Sequence, residues 1–242
     1  MKRFLLIAIP LLAIGLTYFY FKTPTYSWRQ KLTVTIDTPD GPKSGSGVVE
    51  VNLRVRSRER IGGGRLGWNY WGEGAVVDLG DGKYVFALLY DDKRNGHPDI
   101  RVREVFSRDN ILPSLGYHNA RTWVRQLKKI KTPIILQSSE YPELVVFEDI
   151  NDPTTVMPMK SDVTLNKLFG SGYKFKEITL EITDEVPTDE AVYEAIPWGV
   201  SKMGWFSAFG KPCEVCTNEG QFGDEKIFSD FISISNFKRI KR

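Results

Sequence analysis

The residues best suited to chemistry are two cysteines separated by two other residues, Cys213 and Cys216. This spacing fits a zinc site, a thiol–disulfide exchange site or a local disulfide bond. Zinc would need two further ligands, and the chain offers only His97 and His118, far apart in sequence. A thioredoxin-type pair belongs at a helix start early in a βαβ domain, whereas this pair lies near the end of the chain. We therefore predict a disulfide bond between Cys213 and Cys216 without bound metal, and keep thiol–disulfide exchange as an alternative.

Six carboxylates between residues 148 and 190 form a second candidate site. They could bind a metal, or act as general acid and base, if the fold brought them together. Their spacing does not show such convergence, and capping a turn or a short helix is a simpler role for several of them. An enzyme or metal-dependent site is therefore the alternative, and a non-catalytic role is favoured. The six are Asp149, Asp152, Asp184, Glu185, Asp189 and Glu190.

Two motif matches fail because of their context. Residues 62–67 match the dinucleotide-binding pattern G-x-G-x-x-G, which must open a helix, but the next residues are the aromatic stretch 68–71. We interpret that stretch as a loop packing onto the body, with an aromatic contact platform as the alternative. Residues 91–96 resemble a calcium loop, yet Lys93 and Val102 occupy the third and twelfth ligand positions. No cofactor is expected.

The N-terminal part of the sequence contains an apolar run, Phe4–Phe21, which has basic residues on both sides. As a helix it would be about 27 Å long, close to the ~30 Å hydrocarbon core of a bilayer. We predict a transmembrane signal anchor behind a cytoplasmic head of residues 1–3. A cleaved signal peptide is the alternative, but the small-residue site at residues 13–15 is followed by a further apolar run.

The net charge of the body argues against nucleic acid as a partner. The chain has 33 basic and 30 acidic side chains, and removing Lys2, Arg3 and Lys22 leaves 30 of each. Nucleic-acid recognition needs clustered positive charge, which a neutral body lacks overall. The expected partners are the membrane, through residues 4–21, and a protein of the cell envelope.

The alternation of strand-like and helix-like patterns predicts one β-rich α+β domain at residues 31–237. It lies between a linker at 22–30 and a basic tail at 238–242. Alternation of apolar and polar residues is clearest at 49–55, and glycines at 80–82 predict a hairpin between residues 75 and 89. Further strands are predicted at 31–37, 100–106, 133–137, 143–148, 174–183 and 228–237.

The best amphipathic helix is Ala120–Lys131, whose polar face is basic. Its apolar stripe could pack on a sheet, or the helix could lie on anionic lipid, and packing is favoured. Short helices are also predicted at 162–169 and after Thr188, which would cap the second one.

One region of about 50 residues resembles an uncharacterised family of bacterial membrane-anchored proteins. The resemblance implies a setting in the bacterial cell envelope. Together with the apolar run and its basic head, Lys2 and Arg3, it leads us to expect a single-pass inner-membrane protein whose body faces the periplasm. The resemblance implies no activity, so the expected role is contact with a protein or surface. The segments that carry it are Asp149–Val156, Phe169-Gly170, Ile178–Asp184 and Ile196–Trp198.

Overall fold

The computed structural model describes residues 23–56, 64–89, 97–152 and 155–196, together with the backbone of residues 238 and 239. These residues form an α+β fold rich in antiparallel strands, as predicted. The apolar run Phe4–Phe21, Cys213, Cys216 and the predicted strand at 228–237 lie outside the described residues. Within the described residues, no helix has the length and apolar character needed to span a bilayer.

The larger sheet has six strands, and all neighbouring strands are antiparallel. Along β1, Trp28, Val34 and Ile36 are buried, while Lys31 and Thr35 point to the other face, which is the alternation of a half-buried strand. The inner face therefore carries the core. In spatial order the strands are β10 (Lys238–Arg239), β3 (Leu66–Glu73), β2 (Gly41–Val55), β1 (Thr25–Thr38), β9 (Lys174–Thr183) and β6 (Ile134–Ile135).

The smaller sheet packs on β2 at Gly45, where the two backbones touch: a Cβ atom at Gly45 would lie 1.8 Å from the carbonyl oxygen of Val76. Gly74, in the link between β3 and the next strand, approaches the backbone of the smaller sheet in the same way, since a Cβ atom there would lie 1.9 Å from the carbonyl oxygen of Ala87. Only glycine fits such an approach. The predicted hairpin forms here. The strands are, in spatial order, β4 (Val76–Gly80), β5 (Lys83–Ala87), β7 (Leu144–Phe147) and β8 (Val156–Pro158).

Four helices and one 3-10 turn complete the described residues. Helices α1 and α2 pack on the inner face of the larger sheet, where Phe106 and Trp123 join the main core, and α4 packs Val192 against a second core with Phe86. The predictions of α2 and α3 are confirmed, although α2 ends at Leu127. The helices are α1 (Pro98–Arg108), α2 (Ala120–Leu127), α3 (Asp162–Phe169) and α4 (Ala191–Ala195), and the 3-10 turn is Ser138–Glu140.

The strand predicted at residues 100–106 is wrong, because this stretch lies inside helix α1. Pro98 has the backbone geometry of a first helical residue. Asp99 lies in the first turn, where the positive end of the helix dipole stabilises a negative charge. Val102, Val105 and Phe106 are buried on one face, at the three- and four-residue spacing of a helix. The alternating arginines that indicated a strand, Arg101 and Arg103, are half-buried at the edges of this face.

Three other segments differ from the predictions. Strand β1 begins at Thr25, inside the predicted linker at 22–30, because Trp28 and Gln30 are already buried in the core. The aromatic stretch 68–71, predicted as a loop, lies within β3 and pairs with β2. The first two residues of the predicted tail at 238–242 form β10, which pairs with Glu73 and Gly72 of β3.

Candidate functional site

Three side chains, one directly before β3 and two within it, each stack on a side chain from residues 97–117. The guanidinium carbon of Arg65 lies 4.6 Å from the ring centre of Tyr117, and that of Arg103 lies 5.2 Å from the ring of Trp68. The rings of Tyr70 and His97 are parallel, with centres 5.6 Å apart. We call these three stacked pairs the β3 row; its members are Arg65, Trp68, Tyr70, His97, Arg103 and Tyr117.

A buried carboxylate fixes the middle of the β3 row. Asp99, which is 1% exposed, lies 2.7 Å from Nη2 of Arg103 through one carboxylate oxygen, Oδ2. Its other oxygen, Oδ1, accepts a short hydrogen bond from the hydroxyl of Tyr70. Because Asp99 and Arg103 are four residues apart on α1, they lie on the same helix face. Asp99 therefore holds Tyr70 and Arg103 at the same time, one on β3 and one on α1.

A chain of buried contacts connects the β3 row to strand β1 and to the start of helix α1. The ring of Trp68 meets the edge of Trp28 on β1, with centres 6.0 Å apart. The indole N–H of Trp28 donates to Oε1 of Gln30 at 3.0 Å, and Nε2 of Gln30 donates to the carbonyl of Pro98 at 3.0 Å. The start of α1 is thus tied to β1 as well as to β3. These hydrogen bonds hold the N-terminal end of α1 against the larger sheet.

The geometry suits binding better than proton transfer. Oδ1 of Asp99 accepts the hydrogen bond of the Tyr70 hydroxyl, and Oδ2 forms an ion pair with Arg103. The groups of the β3 row that reach the surface are the exposed His97 and the half-buried Arg65, Trp68, Arg103 and Tyr117. Stacked aromatic rings and a guanidinium are typical of side chains that dominate contact surfaces. The β3 row therefore presents planar and positively charged groups in fixed positions.

His97 belongs to the β3 row and His118 lies next to it, which their sequence positions did not indicate. His97 stacks on Tyr70, and His118 meets the edge of Tyr117 with ring centres 4.9 Å apart. Among the residues that the structure describes, no three His, Cys, Asp or Glu side chains are grouped to hold a metal ion.

The six predicted carboxylates are distributed over three places. Asp149 and Asp152 lie in the turn after β7, where Oδ1 of Asp149 accepts a hydrogen bond from the backbone N–H of Asn151 at 2.9 Å. The carbonyl of Asp152 accepts one from Thr155 at 3.1 Å. This pair stabilises a turn, as the simpler interpretation predicted.

The second pair of carboxylates follows β9 and forms ion pairs. Asp184 lies 2.7 Å from Nζ of Lys131, and hydrogen bonding to that ammonium lowers the pKa of Asp184. Glu185 lies 2.8 Å from Nζ of Lys31, and this hydrogen bond raises the pKa of Lys31. The third pair, Asp189 and Glu190, is exposed before α4.

A different carboxylate, Glu73, has the most enclosed position among the described acids, with 0% exposure. It accepts hydrogen bonds from the backbone N–H groups of Ala191 at 3.2 Å and Val192 at 3.1 Å, and so caps α4. The predicted cap Thr188 instead exchanges hydrogen bonds with the backbone of Val48. Sequence reasoning missed Glu73 because its partners lie 118 and 119 residues away.

Comparison with family models, with curated proteins and with solved structures found no match to this chain.

Proposed function

We propose that this chain is a single-pass protein of the bacterial cell envelope whose body binds another envelope protein through the β3 row. The observation that carries the proposal is the set of three stacked pairs, whose central members are held by the buried Asp99. The role is one of contact rather than catalysis.

The side chains of the β3 row are ordered before any partner binds. Arginine and tryptophan are among the side chains that contribute most to binding in protein interfaces. Immobilising such side chains on binding costs about 0.5–1.5 kcal/mol each. Arg103 is already held between Asp99 and Trp68, so a partner would meet it in a fixed position. A surface that loses little side-chain freedom keeps more of its contact energy as affinity.

The membrane part of the proposal depends on Phe4–Phe21, an apolar run of bilayer length. The bacterial inner membrane and a periplasmic body follow from the resemblance of residues 148–198 and from the basic head of the chain. The chain should stay in the membrane fraction after carbonate washing. A soluble product that begins after Gly15 would contradict the anchor.

Site-specific photocrosslinking in intact cells tests the contact. A photoreactive residue at Glu104, exposed beside Arg103, should capture a defined protein, whereas one at the exposed Val163 of α3 should not. Arg103→Lys should weaken the capture, because an ammonium keeps the charge facing Asp99 but loses the planar stack on Trp68.

Lys167→Arg, on the exposed side of α3, is the matched control and should leave the capture unchanged. Equal capture from positions 104 and 163, or capture that Arg103→Lys does not alter, would contradict a specific role for the β3 row.

A further inference from the structure

The antiparallel pairing defines one end of the six-stranded sheet. Thr25, the first residue of β1, pairs with Arg54 near the end of β2, and Arg29 pairs with Thr183 at the end of β9. The start of β1 and the ends of β2 and β9 therefore lie together. We call this the proximal end, because the chain enters the sheet here from its N-terminal side.

Helix α2 lies across the proximal end. In the loop before it, Tyr117 contacts Arg65, which directly precedes β3. Beyond its other end, Lys131 pairs with Asp184, which directly follows β9. In its middle, Trp123 packs on the ring of Trp28, close to the start of β1. The helix thus spans from the β3 side of the sheet to the β9 side.

The proximal end carries a concentration of exposed positive charge. Four bases of α2 and its following turn point to solvent, and none forms an ion pair with another described residue. The nearby acids Asp184 and Glu185 are each paired with a lysine. We call the following set the proximal basic surface: Arg121, Arg125, Lys128, Lys129 and Lys131.

We propose that the proximal basic surface binds the anionic phospholipid headgroups of the membrane that holds the chain. This inference rests on the anchor in the proposed function. Three residues lie between Phe21 and Thr25, so at full extension these four residue steps place the start of the sheet within about 14 Å of the apolar run. The headgroup layer and a Debye length of ~8 Å together cover most of that distance. Clustered bases at this position are attracted by anionic lipid.

The contact is electrostatic and involves no insertion of α2. Ala120, Trp123, Val124 and Leu127 form the apolar stripe of the helix, and all four are buried in the core. Only the basic face is available to lipid. The contact should therefore depend on the charge of the lipid and weaken as salt concentration rises.

Lysine footprinting of the full chain in nanodiscs tests the proposal. With phosphatidylglycerol present, Lys128 and Lys129 should react severalfold more slowly with an amine-acylating reagent than in phosphatidylcholine alone. Lys160 and Lys167 belong to the part of the fold around α3 and should react equally in both lipids. High salt should restore the reactivity of Lys128 and Lys129.

Charge-matched variants complete the experiment. Arg125→Gln with Lys128→Gln and Lys129→Gln should remove the lipid-dependent protection of Lys131, whereas Lys160→Gln with Lys167→Gln and Lys174→Gln should keep it. Equal reactivity of Lys128 and Lys129 in both lipids, in discs that contain the chain, would overturn the lipid contact alone. Failure of the chain to enter either type of disc would overturn the anchor, and this proposal with it.

Discussion

The carboxylate of Asp99 lies 2.7 Å from Nη2 of Arg103, one helical turn further along α1. The acid is 1% exposed, whereas the arginine side chain is 34% exposed and lies over Trp68. A buried charge thus holds a partly exposed one against an aromatic ring. The direction of a surface arginine is set from inside the protein.

Replacing Asp99 with Asn should lower the free energy of unfolding by about 1–3 kcal/mol, because a buried hydrogen-bonded charge is lost beside Tyr70 and Arg103. Urea denaturation measures the change. Asp189→Asn, at an exposed position, should change the value by less than about 0.5 kcal/mol. Equal effects of the two variants would show that Asp99 does not organise the β3 row.

Replacing Glu73 with Gln should loosen α4. The amide offers only one oxygen to the two N–H groups of Ala191 and Val192, and a lost helix cap costs about 0.5–2 kcal/mol. Hydrogen exchange of these two amides should become faster. Glu194→Gln, exposed on the same helix, is the control. Unchanged exchange in the Glu73 variant would refute the capping role.

Replacing Gly45 with Ala should destabilise the contact between the two sheets. The added methyl group would lie 1.8 Å from the carbonyl oxygen of Val76, and overpacking of this kind costs about 1–3 kcal/mol or more. Thermal unfolding should show a lower midpoint. Gly64→Ala has open space around it and serves as the control. A midpoint that did not fall for Gly45→Ala would contradict the backbone contact.

Replacing Lys131 with Gln should raise the pKa of Asp184 toward its ordinary value, because hydrogen bonding to Lys131 is the main cause of the lowered pKa. Since the folded pKa is the lower one, the ionised form of Asp184 favours folding above the unfolded pKa. That contribution is lost as pH falls through the folded pKa. An NMR titration of the Asp184 carboxyl measures the shift.

The control for this titration is Lys129→Gln, which removes a nearby charge that forms no ion pair with a described residue. It should move the pKa of Asp184 less than Lys131→Gln does. Equal shifts would mean that overall charge, and not the Lys131 hydrogen bond, governs this pKa.

The predicted disulfide has a chemical test. Cys213 and Cys216 should resist thiol-reactive labels until a reductant is added. Serine at both positions should cost little stability, because the loop is short and the benefit lies near the low end of the ~0–5 kcal/mol range. Stoichiometric zinc, or turnover of dithiols, would contradict the disulfide.

Local patterns predicted those elements whose period is clear in the sequence. Helix α3 has the predicted bounds, and β9 has them too, with its register shift next to Glu177 as expected. Strand alternation and helix boundaries are signals carried by neighbouring residues. Where two periods competed, at 100–106, the arginine alternation outweighed the Pro98-Asp99 helix start, and the prediction failed.

The β3 row could not be predicted from local sequence patterns, for two reasons. Its pairs join distant segments, as Trp68 and Arg103 do, and the pairing of segments leaves no local pattern. In addition, the spacing of Asp99 and Arg103 means a shared face only on a helix, and that helix had been predicted as a strand. The signal that could have found the pair was the proline followed by an acid, with an arginine four residues later.

The position of β1 has a mechanical consequence. The strand begins directly at the N-terminal side of the body and lies between β2 and β9, with its hydrogen bonds perpendicular to its length. A pull on the chain from that side would run along β1 and load these bonds in shear. Many bonds would then have to break together, whereas peeling an edge strand breaks them one by one. We expect the body to resist traction that is applied from the N-terminal side of β1.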